Sequence, residues 1–442
     1  MSSIQRDITY VVENRLCTGC CICENVCSKN AISVEISRGV FRPKLEKNLC
    51  TQCGLCDSVC PGHSINSEAL GCQLFPEASP DAEIGRFIST YSGHSVVDKT
   101  RWRGASGGMV TALLKWLLHT KQIDGAVVVR FDSERPLEPK AFIARSEADL
   151  EIARSSKYCP VAFDGVLREI LQTPGRYAIV GLPCHLHGIR KMEQRFPLLA
   201  KRVIWHFGIF CSGTRSFGAT EYFLSELDVV PAEVMSFAYR DEGCLGNMTL
   251  ILNNKEQLRW AYKDYYPSAR SFFLPPRCNL CHDQCAELAD LAFGDLHISE
   301  FWDDKVGIGS VIARSSAAQE LLCQAQVDGA IILSPLEKTL VSKSQHSMLI
   351  RKKLDIPIRI RLLSKLGYKV PKYDTDFLKP SARDWLRSIR ATIVLEIEGV
   401  IGINRKLWWI IRAVSHATPP KRNAISSVSA SASDSSCGKL KL

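Results

Sequence analysis

The sequence predicts a mixed α/β protein in three parts: a cysteine-dense N-terminal module, an α/β domain, and a basic, helical C-terminal region. Three observations lead there. Nine of the 19 cysteines fall between Cys17 and Cys60, mostly two residues apart. Between about residue 84 and residue 340, short β-branched runs alternate with helical stretches, the pattern of an α/β domain. Residues 351–442 carry 19 Lys and Arg against 7 Asp and Glu, whereas residues 1–350 carry 37 against 39. The net charge of +10 therefore belongs to the C-terminal fifth, and such asymmetry points to an acidic partner surface.

A chain of 442 residues exceeds one ordinary core, so two or three domains are expected. Hydrophobic residues at 46% and charged residues at 23% exclude a largely disordered or fibrous protein. No apolar run reaches the roughly 18 residues that a membrane-spanning helix needs. The start, MSSIQRDITYVVENR, has no apolar core of a secretory signal, so a cytoplasmic protein is expected. Reduced cytosol is also where closely spaced thiolates survive to bind metal. The expected divisions are residues 1–70 (the cysteine module), 71–83 (a linker), 84–340 (the α/β domain), 341–422 (the basic helical region) and 423–442 (a disordered tail rich in Ser, Ala and Lys).

In the first part, Cys17-Thr-Gly-Cys20-Cys21-Ile-Cys23-Glu-Asn-Val-Cys27 contains C-x2-C-x2-C-x3-C, and Cys50-Thr-Gln-Cys53-Gly-Leu-Cys56-Asp-Ser-Val-Cys60-Pro61 repeats it. Three cysteines two residues apart wrap a turn of backbone around one cuboidal iron–sulfur cluster, and the fourth leads to the other cluster. One [4Fe-4S] cluster is thus expected on Cys17, Cys20, Cys23 and Cys60, and the other on Cys50, Cys53, Cys56 and Cys27. Cys21 is surplus. The two runs resemble those of bacterial-type two-cluster ferredoxins, departing only at Ser28, where proline is usual. Structural zinc is the alternative, and it fits two tandem runs poorly.

In the second part, strands are expected at Gly125–Arg130, Tyr177–Val180, Val203–Phe210 and Ser310–Ala313, with helices at Val110–His119 and Ala317–Val327. Three landmarks accompany them. Arg103-Gly-Ala-Ser106-Gly107-Gly108-Met-Val-Thr111 runs small residues into an apolar helix, which either lets backbone N–H groups approach a ligand phosphate or serves as a tight packing turn. Ser155-Ser-Lys157-Tyr158-Cys159-Pro160 is a polar, aromatic loop. Lys157 is suited to stabilising negative charge on a reduced ring or phosphate, and Tyr158 to stacking on a ligand; an ordinary surface loop is the alternative. The third is a dispersed cysteine set: Cys184 and Cys211, each just after an expected strand, and the local pair Cys278-x2-Cys281. Such loop ends gather at one sheet edge.

Together these stretches resemble the coenzyme F420 hydrogenase/dehydrogenase beta-subunit family over roughly residues 95–330. The matching motifs are Gly-Ala-Ser-Gly-Gly with its helix, Ser-Lys-Tyr, Gly-Leu-Pro-Cys-His-Leu-His-Gly-Ile-Arg-Lys, Gly-Ile-Phe-Cys, and Cys-x2-Cys-x-Asp-x2-Ala-Glu-Leu-Ala-Asp. The resemblance implies a flavin-binding α/β domain behind the ferredoxin-like module. It implies FAD contacts on Ser106, Gly107, Gly108, Thr111, Lys157, Tyr158 and Pro183, and a third [4Fe-4S] cluster on Cys184, Cys211, Cys278 and Cys281. Cys285 is a substitute ligand or a bystander. His185 stands where the family usually has Gln, next to the implied cluster. With Lys157 it is a candidate catalytic residue, one that bears on substrate preference. His187 and His206 read as hydrogen-bonded core or loop residues.

The implied function is an iron–sulfur flavoprotein oxidoreductase passing electrons between a small organic substrate or coenzyme F420, FAD and the clusters, to a ferredoxin or another redox partner protein. The alternatives are a ferredoxin-dependent reductase of a chlorophyll precursor or polysaccharide-related substrate, and a non-enzymatic electron-transfer adaptor. In the third part, Leu386, Ile389, Ile393, Ile397 and Ile401 recur at helical spacing before Trp408-Trp409, with Arg405, Lys406 and Arg412 nearby. Either this helix packs on the flavin domain, or it makes a peripheral membrane contact. No nucleic-acid-binding module is recognisable.

Overall fold

The computed structural model describes residues 7–269, 271–415 and 419; the tail expected at 423–442 lies outside them. Its frame is an eight-stranded sheet. Alongside a small N-terminal hairpin, β1 (Ile32–Ser37) and β2 (Val40–Leu45), the sheet is built from β3 (Ser89–Ser95), β4 (Gly125–Phe131), β5 (Pro139–Ala144), β6 (Tyr177–Gly181) and β7 (Val203–Ile209). After a three-stranded antiparallel side sheet of β8 (Val234–Asp241), β9 (Asn247–Leu252) and β10 (Gln257–Ala261), it is completed by β11 (Leu291–Asp295), β12 (Gly309–Ala313) and β13 (Ile331–Pro335). The order is β13-β3-β12-β11-β7-β6-β4-β5. β11, β7, β6 and β4 run parallel at the centre, and antiparallel strands close both edges.

Every strand and helix expected in the α/β part is present within a residue or two, with helices α1 (Met109–His119) and, later, α3 (Ser316–Val327). Strand alternation explains why the sheet is covered twice. Val127 of β4 joins the core beneath α2 (Pro183–Arg195), with Ile179, Leu186 and Ile189, while Ala126 and Val128 join Leu113, Leu117 and Leu321 of α1 and α3 on the opposite face.

The N-terminal module shares the first of these cores through Ile22, Val26 and Val59, and keeps a small one of its own around Ile8, Val11 and Leu16. Contact is closest at Gly188 of α2, where a Cβ would lie 2.6 Å from Ile22 Cδ1. Polar ties reinforce it: Lys191 Nζ donates to the Cys60 carbonyl at 2.8 Å, and Asn25 Nδ2 to the Phe163 carbonyl at 2.8 Å. The helix Ser67–Leu74 runs on from this module into residues 71–83.

The C-terminal region is helical, with α4 (Asp355–Lys365), α5 (Ala382–Ile403) and α6 (Trp408–Ser415). One face packs: Ile401, Trp408 and Ile411 join the aromatic cluster under the side sheet, and Trp408 meets Tyr222 edge-on at 5.6 Å. Part of the basic excess is therefore internal. Lys352, Lys353 and Arg359 are buried, and Arg412 pairs with Glu226 at 2.7 Å, which revises the reading of this charge as a partner surface alone. No helix of the described residues is long and apolar enough to cross a membrane.

Candidate functional site

Cys17, Cys20, Cys23 and Cys60 lie close enough to feel one another. Burial pushes the Cys17 thiol up to about 11, with the neighbouring Cys20 adding to it. Cys60 is raised by burial and then by Cys20 and Cys17, and the Cys23 thiol by burial and then by Cys21, Cys20, Cys60 and Cys17. Crowded, buried thiols of this kind are relieved when a cationic metal core deprotonates them. Backbone N–H groups already donate to sulfur, from Gly19 to Cys17 at 3.4 Å and from Gly62 to Cys60 at 3.3 Å. In the second set, Ala31 and Gln52 donate to Cys27 and Cys50 at 3.3 and 3.4 Å, and Cys56 is raised by burial and, more weakly, by Cys53. Cys21 turns its sulfur to the Gly19 carbonyl, 3.5 Å away.

The dispersed cysteines meet. Cys184 stands in the first turn of α2 just after β6, and Cys211 two residues after β7. Cys278 and Cys281 lie on and just after the short 3-10 turn Pro276–Leu280, held at the same sheet edge because Cys211 N–H donates to the Gln284 carbonyl at 2.9 Å. All four line one cavity, whose wall also holds Pro183, His185, Thr18 and Pro61. The Cys184 thiol is raised by burial, then by Cys20, Cys211, Cys281 and Cys278, so it stands between the first N-terminal set and this one. Among the described residues, no three His, Cys, Asp or Glu side chains are arranged to hold a single metal ion. The four thiols share the wall of one cavity, and four thiols are the ligand set a four-iron core takes. Cys285 is buried in the apolar core beside Ala286 and Ala289, away from that wall.

Lys352 completes this cavity and was not singled out by its sequence. It lies on a π-helical turn, Ile350–Leu354, a distortion common at functional sites. Its Nζ donates to the Cys211 and Asp283 carbonyls, both at 2.6 Å, and to Cys281 Sγ at 3.7 Å. Burial alone would lower its pKa, but Cys281, Cys211 and Asp283 reverse that and raise it.

His185 is neutral. Leu182 N–H donates to Nδ1 at 3.3 Å, leaving the proton on Nε2 to donate to the Val161 carbonyl at 3.2 Å, and the ring stacks on Phe163 at 4.4 Å. Burial pulls its pKa down to about 4. The side chain anchors the turn that carries Cys184. His187 bonds Asn66 at 2.8 Å, and buried His206 bridges Glu193 and Asp290 at 2.7 and 3.2 Å.

A second cavity, of about 560 Å3, lies beside the side sheet and falls within the roughly 300–1,000 Å3 of small-molecule and cofactor sites. Lys157 lines it together with Arg103, Arg154, Arg240 and Arg259, cations from four separate stretches of the sequence that only the fold brings to one cavity. Lys157 Nζ donates to the carbonyls of Ala153, Arg154 and Ser155 at 2.6, 2.7 and 3.1 Å, and burial lowers its pKa to about 7. Tyr158 packs against Tyr266, Tyr262 and Tyr239, with ring centroids 4.9 to 5.8 Å apart.

The other expected flavin contacts are distributed. Ser106 hydrogen-bonds Asp295, which also accepts from Arg240 at 2.6 Å, so the glycine turn connects to the cavity wall through one carboxylate. Arg240 and His297 hold Asp295 well below the usual carboxylate range against its burial. Gly108 has φ 70°, and a Cβ there would lie 2.4 Å from the Thr100 carbonyl oxygen, with Gly107 comparably enclosed. Thr111 sits in the first turn of α1. Pro183 opens α2 and lies on the cysteine cavity, not on this one.

Comparison with known families then bears directly on this chain. Residues 90–168 match the profile "Coenzyme F420 hydrogenase/dehydrogenase, beta subunit N-term", and residues 175–339 match its C-terminal counterpart. The chain belongs to this family. Among its F420 hydrogenase/dehydrogenase beta-subunit relatives, the coenzyme F420-dependent sulfite reductase of Methanocaldococcus jannaschii is 25% identical over 54% of this chain, which spans only 38% of that protein. The coenzyme F420 hydrogenase subunit beta of Methanosarcina barkeri is 21% identical over 58% of this chain and 85% of its own length. The F420-dependent formate dehydrogenase subunit beta of Methanocaldococcus jannaschii is 27% identical over 65% and 70%. In fold, a chain of the F420-reducing [NiFe] hydrogenase complex from Methanosarcina barkeri superposes with a TM-score of 0.52 at 19% identity, covering 66% of this chain and 98% of that one.

Proposed function

We propose that this chain is an iron–sulfur flavoprotein oxidoreductase that moves electrons between coenzyme F420, or another small organic substrate, and a ferredoxin or redox partner protein. The observation that carries the reading is the convergence of Cys184, Cys211, Cys278 and Cys281 on one cavity whose wall includes Thr18 and Pro61 of the N-terminal module. Three groups of thiols then form a series: Cys50, Cys53, Cys56 and Cys27 outermost, Cys17, Cys20, Cys23 and Cys60 next, and the dispersed set innermost. A bound flavin would supply hydride exchange on one side and single-electron exchange on the other.

The chain's own residues prepare both places. Arg103, Arg154, Arg240, Arg259 and Lys157 line the larger cavity, with the arginines paired to Asp241, Asp295 and Glu242, so a bound phosphate or carboxylate would share guanidinium groups already held in place. Its aromatic flank, Phe131 and Phe237, gives a ring an apolar surface. Lys157 Nζ, with a pKa near neutrality, holds a proton beside that wall and can stabilise negative charge there. Lys157→Ala is expected to reduce flavin content or the rate of flavin reduction; normal values of both would remove the role. Anaerobic reduction of the bound chromophore by reduced coenzyme F420 and by reduced ferredoxin, compared side by side, tests the function. Response to both supports the relay, whereas a chain with about eight irons and no flavin would be a simple adaptor.

A second reading concerns α5. Leu386, Ile393, Ile397 and Val400 share one helical face and are each more than half exposed, while the opposite face packs inward. Exposed Arg383, Arg390 and Lys406 border the stripe and Trp409 extends it, a combination suited to an anionic lipid surface. Co-sedimentation with anionic vesicles, weakened by salt and abolished in Ile393→Asp/Ile397→Asp, is the expected result. Equal recovery with neutral vesicles, or no recovery, would refute it.

A further inference from the structure

Burying an ammonium without a carboxylate beside it is costly unless another anion compensates it. Lys353 meets the rule in the ordinary way, pairing with Glu287 at 2.5 Å. Its neighbour Lys352 touches no carboxylate directly and has the Asp283 carboxylate only in its wider field. Only 1% exposed, Lys352 directs its three N–H donors to two carbonyl oxygens and the sulfur of Cys281, and its direct contacts include no carboxylate.

Around the same cysteines, Arg277 is also buried and spends its guanidinium on the carbonyls of Gly62, Leu280 and Pro61 at 2.8, 2.8 and 3.2 Å. Arg215 likewise donates to oxygens of Gly213, Thr214 and Tyr266 and lies over the Tyr266 ring, 5.4 Å from its centroid. The wall therefore sets two buried cations, Lys352 and Arg277, beside these cysteines together with the Asp283 carboxylate, and Lys352 is the one that reaches a sulfur. Four thiolates around a four-iron core are the anion that this charge suits.

The source of Lys352 matters as much as its position. Residues 340–442 lie beyond the segments that match the family profiles, which end at residue 339. The π-helical turn lets consecutive basic residues address one loop: Arg351 Nη2 reaches Asn279 Oδ1 at 3.1 Å, Lys352 reaches Asp283, and Lys353 reaches Glu287. The C-terminal region thus contributes charge to a site built by the preceding domain.

Resting on the reading of that site as a cluster, we propose that Lys352 is a positioning residue that raises the reduction potential of the cluster on Cys184, Cys211, Cys278 and Cys281. The step it biases is the uptake of one electron by the cluster from a reduced flavin, which is thereby oxidised by one electron, and its release to the cluster on Cys17, Cys20, Cys23 and Cys60. No bond or proton is exchanged, and the cluster gains one unit of negative charge. A fixed ammonium with an N–H···S bond to Cys281 favours the more negative state, whereas among the described residues the sulfurs of the N-terminal sets accept from backbone N–H groups and from no ammonium.

The test is an anaerobic redox titration of the full chain with dithionite and mediators, followed by EPR, in wild type, Lys352→Met, Lys352→Gln and Lys352→Arg. The expected result is a shift of one cluster signal to more negative potential in the Met and Gln variants, with the other two unmoved and the Arg variant close to wild type. An unshifted signal in a Met or Gln variant retaining about 12 irons would overturn the proposal. So would an Arg variant that shifts as far as Met, or loss of the third cluster in all three variants, which would make Lys352 merely structural. About eight irons in wild type would instead mean that the cluster reading itself had failed.

Discussion

The outermost and innermost cysteine groups are built on opposite principles. Cys50, Cys53 and Cys56 follow one another closely, in a surface loop and the short helix Leu55–Ser58 after it: Cys53 is exposed, and Thr51 and Gln52 beside it are exposed as well. Cys184, Cys211, Cys278 and Cys281 come from three separate places in the chain, meet only after the sheet has formed, and are enclosed by Arg277 and Lys352. The first arrangement costs the fold little and leaves its cysteines near the surface. The second needs the whole domain to bring its residues to one cavity. Between them, Cys17, Cys20, Cys23 and Cys60 are mostly buried, and Cys20 lies in the field of Cys184. The middle set is the most buried of the three, and the dispersed set is half-buried around its cavity.

Separating the two ends gives the largest expected effect. With reduced coenzyme F420 as donor, Cys184→Ser should leave the N-terminal clusters oxidised, because the innermost step is missing. Cys53→Ser should still allow the buried clusters to be reduced while transfer to an external ferredoxin falls to background. Stopped-flow absorbance of the clusters and of the carrier distinguishes the two, and identical phenotypes would erase the contrast.

A smaller effect concerns the enclosure itself. His185 has a pKa of about 4 in the folded chain against 6.5 when unperturbed, so the unfolded chain binds more protons between those values. Stability contributed by the neutral ring is fully present above pH 6.5 and is lost as pH falls toward 4, by about 3 kcal/mol in all. His185→Gln should flatten that acid limb relative to wild type in urea titrations at several pH values, and an unchanged slope would mean that the ring is not held neutral.

The smallest effects belong to the cysteines that face neither group. Cys21→Ser and Cys285→Ala should lose no iron, and Cys285→Ala should cost only about 1–2 kcal/mol as a core truncation, read from its denaturation midpoint. Loss of iron in either variant would redraw the ligand sets.

Much of this was legible in the sequence because it depends on local spacing or on strand ends. The runs Gly125–Arg130, Tyr177–Val180 and Val203–Phe210 mark the parallel centre, and Cys184 and Cys211 follow two of them directly, so their meeting follows from sheet topology. Lys352 could not be found that way. In sequence it is one of three basic residues in a row, and only the π-helical turn directs it inward. Arg103, Arg154, Arg240 and Arg259 share a cavity by tertiary packing, with no common motif. Tyr158 has the aromatic character expected of a ligand contact, and that surface meets three tyrosines contributed by the side sheet and the helix after it.

The most direct measurement is the iron, sulfide and flavin content per chain of anaerobically purified wild type and of Cys184→Ala/Cys278→Ala. The expected result is about 12 irons with one FAD in wild type and about eight irons in the double variant, its N-terminal EPR signals intact. Eight irons and no flavin in wild type, or the same iron content in both proteins, would contradict a cluster seated on the dispersed cysteines.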